Sequence, residues 1–207
     1  MNTKRAYNST LRESKAERTR NRVLDAARDL FEAEGFALAT IEGIAKAANV
    51  SAPTVYLLFQ SKRGIVRALL DRAFPPEEVE ARADHQLLQD TPEAGLRSIA
   101  KLAREMYDAE RKEMSFFRGA FMLSPELKEL EAERETKRYH RQEEAIKAYG
   151  AKKWLAPHLT VNQARDIFWA FSGRDLYRLM VVERGWSSDA YQTWLGDLLI
   201  KSLLLAK

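Results

Sequence analysis

The stretch from Thr40 to Phe59 constrains the fold most, because it contains two short helical patterns separated by a single turn signal. In the first pattern, apolar residues recur with helical spacing and form one face. They are Ile41, Ile44, Ala45 and Ala48. Asn49 follows at the turn, and Asn tolerates the left-handed backbone conformation that ends many helices. Thr40 and Ser51 stand where a side-chain hydroxyl would cap the N-terminus of each helix.

The second pattern has the features of a helix that packs back on the first. Pro53 is tolerated in its first turn, where the backbone N–H groups have no helical partner. Val55 and Phe59 are four residues apart, so they lie on one face and are predicted to pack on Ile44. The sequence therefore predicts a helix-turn-helix, the unit whose second helix lies in the major groove of DNA.

This stretch and its flanks resemble a known family. The residues that carry the resemblance are Gly35, Thr40, Ile44, Ala45, Ala48, Asn49, Val50, Ser51, Tyr56, Phe59 and Lys62. Together they are similar to the DNA-binding domain of the TetR family of transcriptional regulators, over about residues 20–74. Two positions depart from the family pattern, which usually has Gly in place of Asn49 and often has His or Tyr in place of Leu58.

The helical patterns and the resemblance together predict an all-α protein. We expect a basic N-terminal arm over 1–16, a three-helix helix-turn-helix DNA-binding domain over 17–74, and a C-terminal helical ligand-binding and dimerisation domain over 75–207. Pro75 and Pro76 mark the boundary, because proline does not continue a helix. The arm has few apolar residues and is expected to be disordered. It either follows DNA phosphates or is a solvated tail.

The charge distribution favours a polyanionic partner for the first third of the chain. Residues 1–74 contain 13 Lys and Arg against 8 Asp and Glu, whereas the remainder contains 21 against 22. Ordinary solvation of the surface is the alternative explanation. The chain has no cysteine, which excludes disulfides and thiolate metal sites. No long apolar run and no secretory signal are present, so we expect a cytoplasmic protein without a membrane span.

Phosphate contacts are implied by the family resemblance for Thr40, Tyr56 and Lys62. Such contacts fix the position of a protein on DNA but carry no sequence information. The exposed positions of the second helix are predicted to read the bases. They are Ser51, Ala52, Pro53, Thr54 and Leu57. None is Arg, Lys, Asn or Gln, so the usual bidentate pairs to guanine or adenine are missing. We expect specificity to rely on apolar contacts, for example with thymine methyl groups, on Thr54, and on shape readout by the arm.

The C-terminal region is predicted to consist of helices. The highly charged stretch 126–144 is expected to face outward, and Thr160 with Gln163 forms a capping box for a helix that reaches Arg184. The last two helices are apolar on more than one face, which predicts burial on more than one side. We therefore expect a homodimer through these helices, and the alternative is that they form the core of one subunit.

The resemblance also implies a small effector in the C-terminal domain, predicted to be hydrophobic or aromatic. The candidate contacts are Met106, Phe116, Phe117, Phe121, His140, Trp169, Arg174 and Tyr177. The six aromatic or apolar candidates would form the lining, while His140 and Arg174 would be polar anchors. Aromatic residues at helical spacing also occur in ordinary cores, and this remains the alternative for each of them.

The predicted function is a transcriptional regulator, most simply a repressor that binds a palindromic operator as a dimer and is released by its effector. An enzyme is not expected, because the three histidines are far apart and no nucleophile motif or Gly-rich phosphate loop is present. No cofactor and no metal are predicted. The alternative outside this class is a helical protein-interaction adaptor with a vestigial helix-turn-helix.

Overall fold

The protein folds almost entirely into helices. The structure, a computed structural model, describes residues 3–87, 89, 91–114 and 124–204. The α-helices are α1 Thr3–Glu34, α2 Ile41–Ala47, α3 Ala52–Phe59, α4 Lys62–Ala73, α5 Pro76–Leu87, α6 Pro92–Met114, α7 Pro125–Ala151, α8 Val161–Phe171, α9 Arg174–Tyr177 and α10 Ser188–Leu203. Within the described residues, β-structure is limited to one bridge between Leu155 and Leu204. The predicted all-α class is therefore confirmed.

The chain divides into two compact units. The first consists of Met1–Arg72 with Glu113–Leu130, and the second of Ala73–Lys112 with Glu131–Lys207. The predicted domain bounds at 16 and 74 remain predictions, since the first unit also takes in a segment distant in sequence. None of the described helices is both long enough and apolar enough to cross a membrane.

Helix α1 ends through a backbone geometry that glycine permits. Gly35 has a φ of +82°, a value that side chains with a Cβ rarely adopt. The chain then turns back, and the Phe36 ring lies 5.5 Å from the Phe31 ring between centroids. Val23, Ala27 and Phe31 are completely buried in the core of the first unit. Helix α1 therefore supports the helices that follow it, as its apolar spacing predicts.

The helix-turn-helix caps form as the sequence predicts. Thr40 Oγ1 accepts a hydrogen bond from the Gly43 backbone N–H at 3.0 Å and caps α2. Asn49 has a φ of +51°, so it adopts the left-handed conformation at the turn. The α3 cap is Ser51, whose Oγ accepts from the Thr54 N–H at 3.3 Å. These contacts satisfy N–H groups that a helix start leaves without partners.

Two predictions about helix limits are wrong. Helix α1 begins at Thr3, so the backbone of the predicted arm is helical rather than disordered. The arm is rich in Lys, Arg, Ala and Glu, which favour helix without needing tertiary contacts. The single helix predicted from Thr160 to Arg184 is instead interrupted at Ser172 and Gly173 and continues as a π-helical segment over Arg178–Glu183.

The second unit has a core built around the last helix. Tyr191, Leu195, Leu199 and Leu203 of α10 are completely buried, as their regular spacing of four residues predicts. The predicted capping box at the start of α8 is confirmed, because the Thr160 N–H donates to Gln163 Oε1 at 3.0 Å and Thr160 Oγ1 accepts from the Gln163 N–H at 3.2 Å. These contacts fix where α8 begins.

Candidate nucleic-acid interface and ligand site

The outer face of α3 carries side chains that a packed core would normally bury. Leu57 is 84% exposed and Tyr56 is 48% exposed, while Pro53 and Gln60 are also exposed. Pro53 precedes Tyr56 and Leu57 by three and four positions, and Gln60 follows them by four and three, so the four residues form one continuous stripe along the helix. The opposite face holds Val55 and Phe59, which are buried. Helix α3 therefore packs on the core through one face and exposes a partly apolar surface on the other.

The hydroxyl groups at the start of α3 are engaged within the protein. Ser51 Oγ and Thr54 Oγ1 lie 2.7 Å apart and share a hydrogen bond, and Ser51 Oγ also caps the helix. Pro53 and half-buried Ala52 complete the predicted set of base-reading positions. The groups left fully available for base contacts on α3 are therefore mainly apolar, which strengthens the expectation of contacts with thymine methyl groups.

Thr40 stands at an exposed helix start. Its hydroxyl caps α2, and the first-turn N–H groups of a helix carry partial positive charge. An anion such as a DNA phosphate is stabilised at this kind of position. The phosphate contact that the resemblance implies for Thr40 is compatible with its place in the structure.

The ammonium group of Lys62 is used inside the protein. Its Nζ donates to the carbonyl oxygens of Phe36 at 2.6 Å, Ala39 at 2.9 Å and Ala37 at 3.4 Å. It also lies 4.5 Å from the centroid of the Phe36 ring. An ammonium has three protons, and three carbonyls lie within reach of them. Lys62 therefore ties the start of α4 to the connection between α1 and α2, which leads directly into Thr40.

Sequence reasoning missed two polar groups beside this face. Gln60 is exposed at the end of α3 with a φ of +66°, and it continues the exposed stripe. The Arg20 guanidinium lies 4.9 Å from the centroid of the Phe59 ring. Arg20 belongs to the basic stretch noted in the sequence, but nothing in that stretch singles it out, because its neighbour Phe59 is 39 positions away.

The inner side of α7 contradicts the prediction that its charged stretch faces outward. Five polar residues of this stretch recur with helical spacing on one face of α7, and all are buried or half-buried. They are Glu131, Arg134, Glu135, Arg138 and Gln142. Their partners are the Glu110 carboxylate of α6, the Trp169 carbonyl of α8 and the Arg174 guanidinium of α9. Polar residues on an inward face escape prediction from hydrophobicity alone, because their partners lie far away in sequence.

Glu110 is the centre of this polar network. Only 3% of the residue is exposed, and its two carboxylate oxygens accept from Arg134 at 2.5 Å and from Arg174 at 2.5 Å. A buried carboxylate is tolerated only when it is paired and hydrogen-bonded, and here each oxygen has its own guanidinium. Burial opposes the charge of Arg174, but Glu110 and Glu131 raise the pKa of its guanidinium above the ordinary value.

The same network holds the break between α8 and α9. Arg138 donates to the Trp169 carbonyl at 2.8 Å and to Ser172 Oγ at 3.0 Å. The Tyr107 hydroxyl donates to the Ser172 carbonyl at 2.8 Å, and Gln142 Nε2 donates to Ser172 Oγ at 3.0 Å. Side chains thus satisfy the backbone groups that an interrupted helix leaves unpaired. Burial raises the pKa of Tyr107 to about 12, which reflects how little water reaches this region.

The effector candidates have different positions in the second unit. Trp169 and Arg174 belong to the polar network, and Tyr177 is buried with its ring 5.5 Å from that of Tyr107. Met106 is half-buried against the same core. His140 is exposed on α7, so it does not face this interior. The remaining candidates, Phe116, Phe117 and Phe121, lie outside the described residues.

Residues 23–69 match a family model described as bacterial regulatory proteins of the tetR family. This range contains both helices of the helix-turn-helix and the capped turn between them. The domain belongs to the TetR family. A relative named HTH-type transcriptional regulator SrpR, from Pseudomonas putida, is 37% identical over 71 residues, which is 34% of this chain and 33% of that protein. The match thus spans only about a third of the curated relative.

Solved structures resemble a larger part of the chain. NalD, the secondary repressor of the MexAB-OprM multidrug efflux pump in Pseudomonas aeruginosa, gives a TM-score of 0.69 at 23% identity, with 91% of this chain and 98% of NalD covered. A SmeT–triclosan complex gives 0.69 at 21% identity, with 90% and 91% covered. These similarities show that the helical C-terminal fold accompanies the TetR domain.

Replacing Lys62 by Met tests the internal role of its ammonium group in the TetR domain. The substitution keeps most of the aliphatic stem but removes the donors to three carbonyls. A hydrogen bond to a charged group contributes about 1.5–3 kcal/mol. Because water reaches part of this site and replaces some of the lost contacts, we expect a total loss of about 2 kcal/mol and a fall in Tm of about 5 °C. Thermal unfolding followed by circular dichroism measures it.

The matched control is Lys46→Met, because Lys46 is an exposed lysine at the end of α2. We expect it to unfold at the same temperature as the native protein. Equal Tm values for the two variants would show that the carbonyl contacts of Lys62 contribute no stability.

Proposed function

We propose that this protein is a transcriptional repressor that binds a palindromic DNA operator as a homodimer and leaves it when a small effector binds. The observation that carries the proposal is the exposed face of α3, held by caps at both helices of a TetR-family domain. The protein acts by binding rather than by catalysis, and its place of action is the cytoplasm, where the DNA is. The vestigial-motif alternative is not favoured, because the caps and buried contacts that such a motif would lose are intact.

Base recognition is proposed to rely on Pro53, Leu57 and the methyl-bearing edge of thymine. Leu57 makes no contribution to the core, since almost all of its surface is exposed. Leu57 is contiguous with exposed Pro53 and Tyr56, and a contiguous exposed apolar surface of this kind marks an interaction site. The predicted contacts of Thr40, Ser51, Ala52, Thr54 and Tyr56 belong to the same proposal, whereas the predicted phosphate contact of Lys62 is not kept, because its ammonium donates to backbone carbonyls.

Homodimerisation is proposed to use the surface around the π-helical segment and α10. Within one subunit, Phe168 and Val181 are already buried, so less apolar surface is left than the sequence suggests. Leu179 remains 39% exposed and Trp186 remains 36% exposed. These two residues, with half-buried Leu176 and Met180, are the apolar surface proposed to meet a second copy.

The effector is proposed to bind beside the break between α8 and α9. Three buried polar atoms there have no hydrogen-bond partner within the part of the chain that the structure describes: Trp169 Nε1, Arg174 Nε and Gln142 Oε1. Buried polar atoms without partners are costly, and a ligand that pairs with them recovers that cost. Neighbouring aromatic rings, including Tyr107 and Tyr177, suit an aromatic ligand body. Triclosan, named with SmeT, is a ligand of this class.

Selection of bound DNA from a random library tests the function and yields the operator. We expect a palindrome whose half-sites contain thymine, because apolar side chains read its methyl group. Leu57→Ala should leave Tm unchanged and reduce the affinity difference between operator and a thymine-to-uracil operator, which lacks that methyl. Equal affinity of the native protein for the thymine and uracil operators would contradict the apolar contact. A selection that yields no sequence motif would contradict the proposed function.

Light scattering at micromolar concentration tests the dimer. The native protein is expected at twice the mass of one chain, and Leu179→Asp should shift it toward a monomer because a charge is costly in an apolar interface. Val161→Asp is the matched control, since Val161 is a comparably exposed apolar residue at the start of α8. A native monomer would refute the proposal.

Titration calorimetry with triclosan tests the effector site. Trp169→Phe keeps an aromatic ring but removes the N–H donor, and one hydrogen bond of about 1 kcal/mol corresponds to a roughly fivefold loss of affinity. Trp154→Phe is the control, because Trp154 packs against Tyr149 and Lys152 rather than beside the break between α8 and α9. Saturating ligand should also release bound operator. Equal affinities for the two variants would exclude this site for triclosan.

A further inference from the structure

The cation that holds a DNA phosphate beside α3 is not obvious from the family resemblance. The resemblance implies Lys62, but its ammonium donates to three backbone carbonyls in the free protein. Contact with a phosphate would require those hydrogen bonds to break. A different positively charged site next to the recognition helix therefore becomes relevant, and the inference below rests on the proposed DNA binding.

A basic cavity of about 400 Å³ opens in the first unit between α1, the end of α3 and α4. Arg20, Arg63 and Arg67 contribute three positive charges to its lining, and Asp71 contributes one negative charge. Arg63 is paired with Glu129 at 2.8 Å. The lining therefore carries a positive excess, and the cavity is larger than one phosphate group needs. A cavity of this charge favours an anionic ligand.

Arg20 is the residue of this cavity with donors to spare. It is half-buried, and its guanidinium is held 4.9 Å from the centroid of the Phe59 ring. Within the described part of the chain, its side chain makes no hydrogen bond and no ion pair. A guanidinium has five N–H donors arranged in a fork that matches the oxygens of a phosphate. The stacking contact orients this fork without using its donors.

The cavity lies directly beside the surface proposed to face DNA. Gln60 and Ser61, the two residues that follow α3, line the cavity, and Gln60 also ends the exposed stripe of Tyr56 and Leu57. Ser61 Oγ accepts from the Gly64 N–H at 3.1 Å, which leaves the hydroxyl proton available for donation. A duplex that covers the stripe therefore brings its backbone to the cavity.

We propose that the arginine-lined cavity binds a phosphodiester group of the DNA backbone, with Arg20 as its principal donor. The hydroxyl of Ser61 supplies a second donor, and Arg63 and Arg67 supply the positive field. Lys62 acts differently, as a positioning residue that holds the connection leading to Thr40. The two cations next to α3 thus have separate roles, one toward DNA and one toward the protein.

The salt dependence of DNA affinity separates these roles. Each phosphate contact contributes about 0.9 to the slope of log affinity against log salt concentration. A variant that lacks one contact should therefore lose roughly threefold less affinity than the native protein when salt is raised from 50 to 200 mM. We expect Arg20→Met to lower the slope by about one ion with an unchanged Tm. Lys62→Met should weaken binding with the native slope. Fluorescence anisotropy with a labelled duplex measures both.

Two further variants complete the test. Arg20→Lys keeps the charge and should restore the slope while binding several-fold more weakly, because the fork is lost. Arg97→Met removes one positive charge from an exposed ion pair in the second unit and should match the native protein. An Arg20→Met slope equal to the native slope would overturn the proposal, as would a loss of slope in Arg97→Met of the same size.

A second arm distinguishes DNA phosphate from a free anion. Inorganic phosphate, compared with chloride at equal ionic strength, should raise Tm by less than a degree in both the native protein and Arg20→Met. If millimolar phosphate instead raises the Tm of the native protein by several degrees but leaves the Tm of Arg20→Met unchanged, the cavity binds a free phosphate-bearing ligand. That result would refute the DNA contact. If the native protein binds no duplex at any salt concentration, the proposed function itself fails.

Discussion

The contact of the Lys62 ammonium with the carbonyls of Phe36, Ala37 and Ala39 joins the start of α4 to the connection between α1 and α2 in the first unit. These carbonyls belong to a connection that has no regular structure, and such groups need a partner when water is partly excluded. The lysine supplies it from the start of α4, where a positive charge is unfavourable for the helix dipole. The local electrostatic cost is offset by the contact, which fixes the position from which α2 begins.

Local chemistry was predictable from the sequence, and long-range partners were not. The caps of Thr40 and Ser51 and the turn at Asn49 depend on residues within three positions, and all were expected. The partners of Lys62 and Arg20 lie 23 to 39 positions away, where periodicity carries no information. The inward face of α7 was missed for a related reason, because charged residues are ordinarily assigned to solvent.

The two units solve the problem of burial in different ways. The first has an apolar core, and its polar contacts include the helix caps and the carbonyl contacts of Lys62. The second buries a chain of ion pairs and hydrogen bonds around Glu110 and Ser172, beside an apolar core. Displacing one residue of such a polar network costs much stability, because the remaining buried residues lose their hydrogen-bond partners at the same time. The break between α8 and α9 is therefore coupled to the side chains of α6 and α7.

The apolar surface of α3 has a consequence for how affinity and selectivity respond to conditions. Contacts with DNA phosphates weaken as the salt concentration rises, whereas the proposed burial of Leu57 against a thymine methyl group would be nearly independent of ionic strength. Discrimination between operators should therefore persist when overall affinity has fallen. Because apolar burial lowers heat capacity, discrimination should carry a negative heat-capacity change and vary with temperature more than with salt.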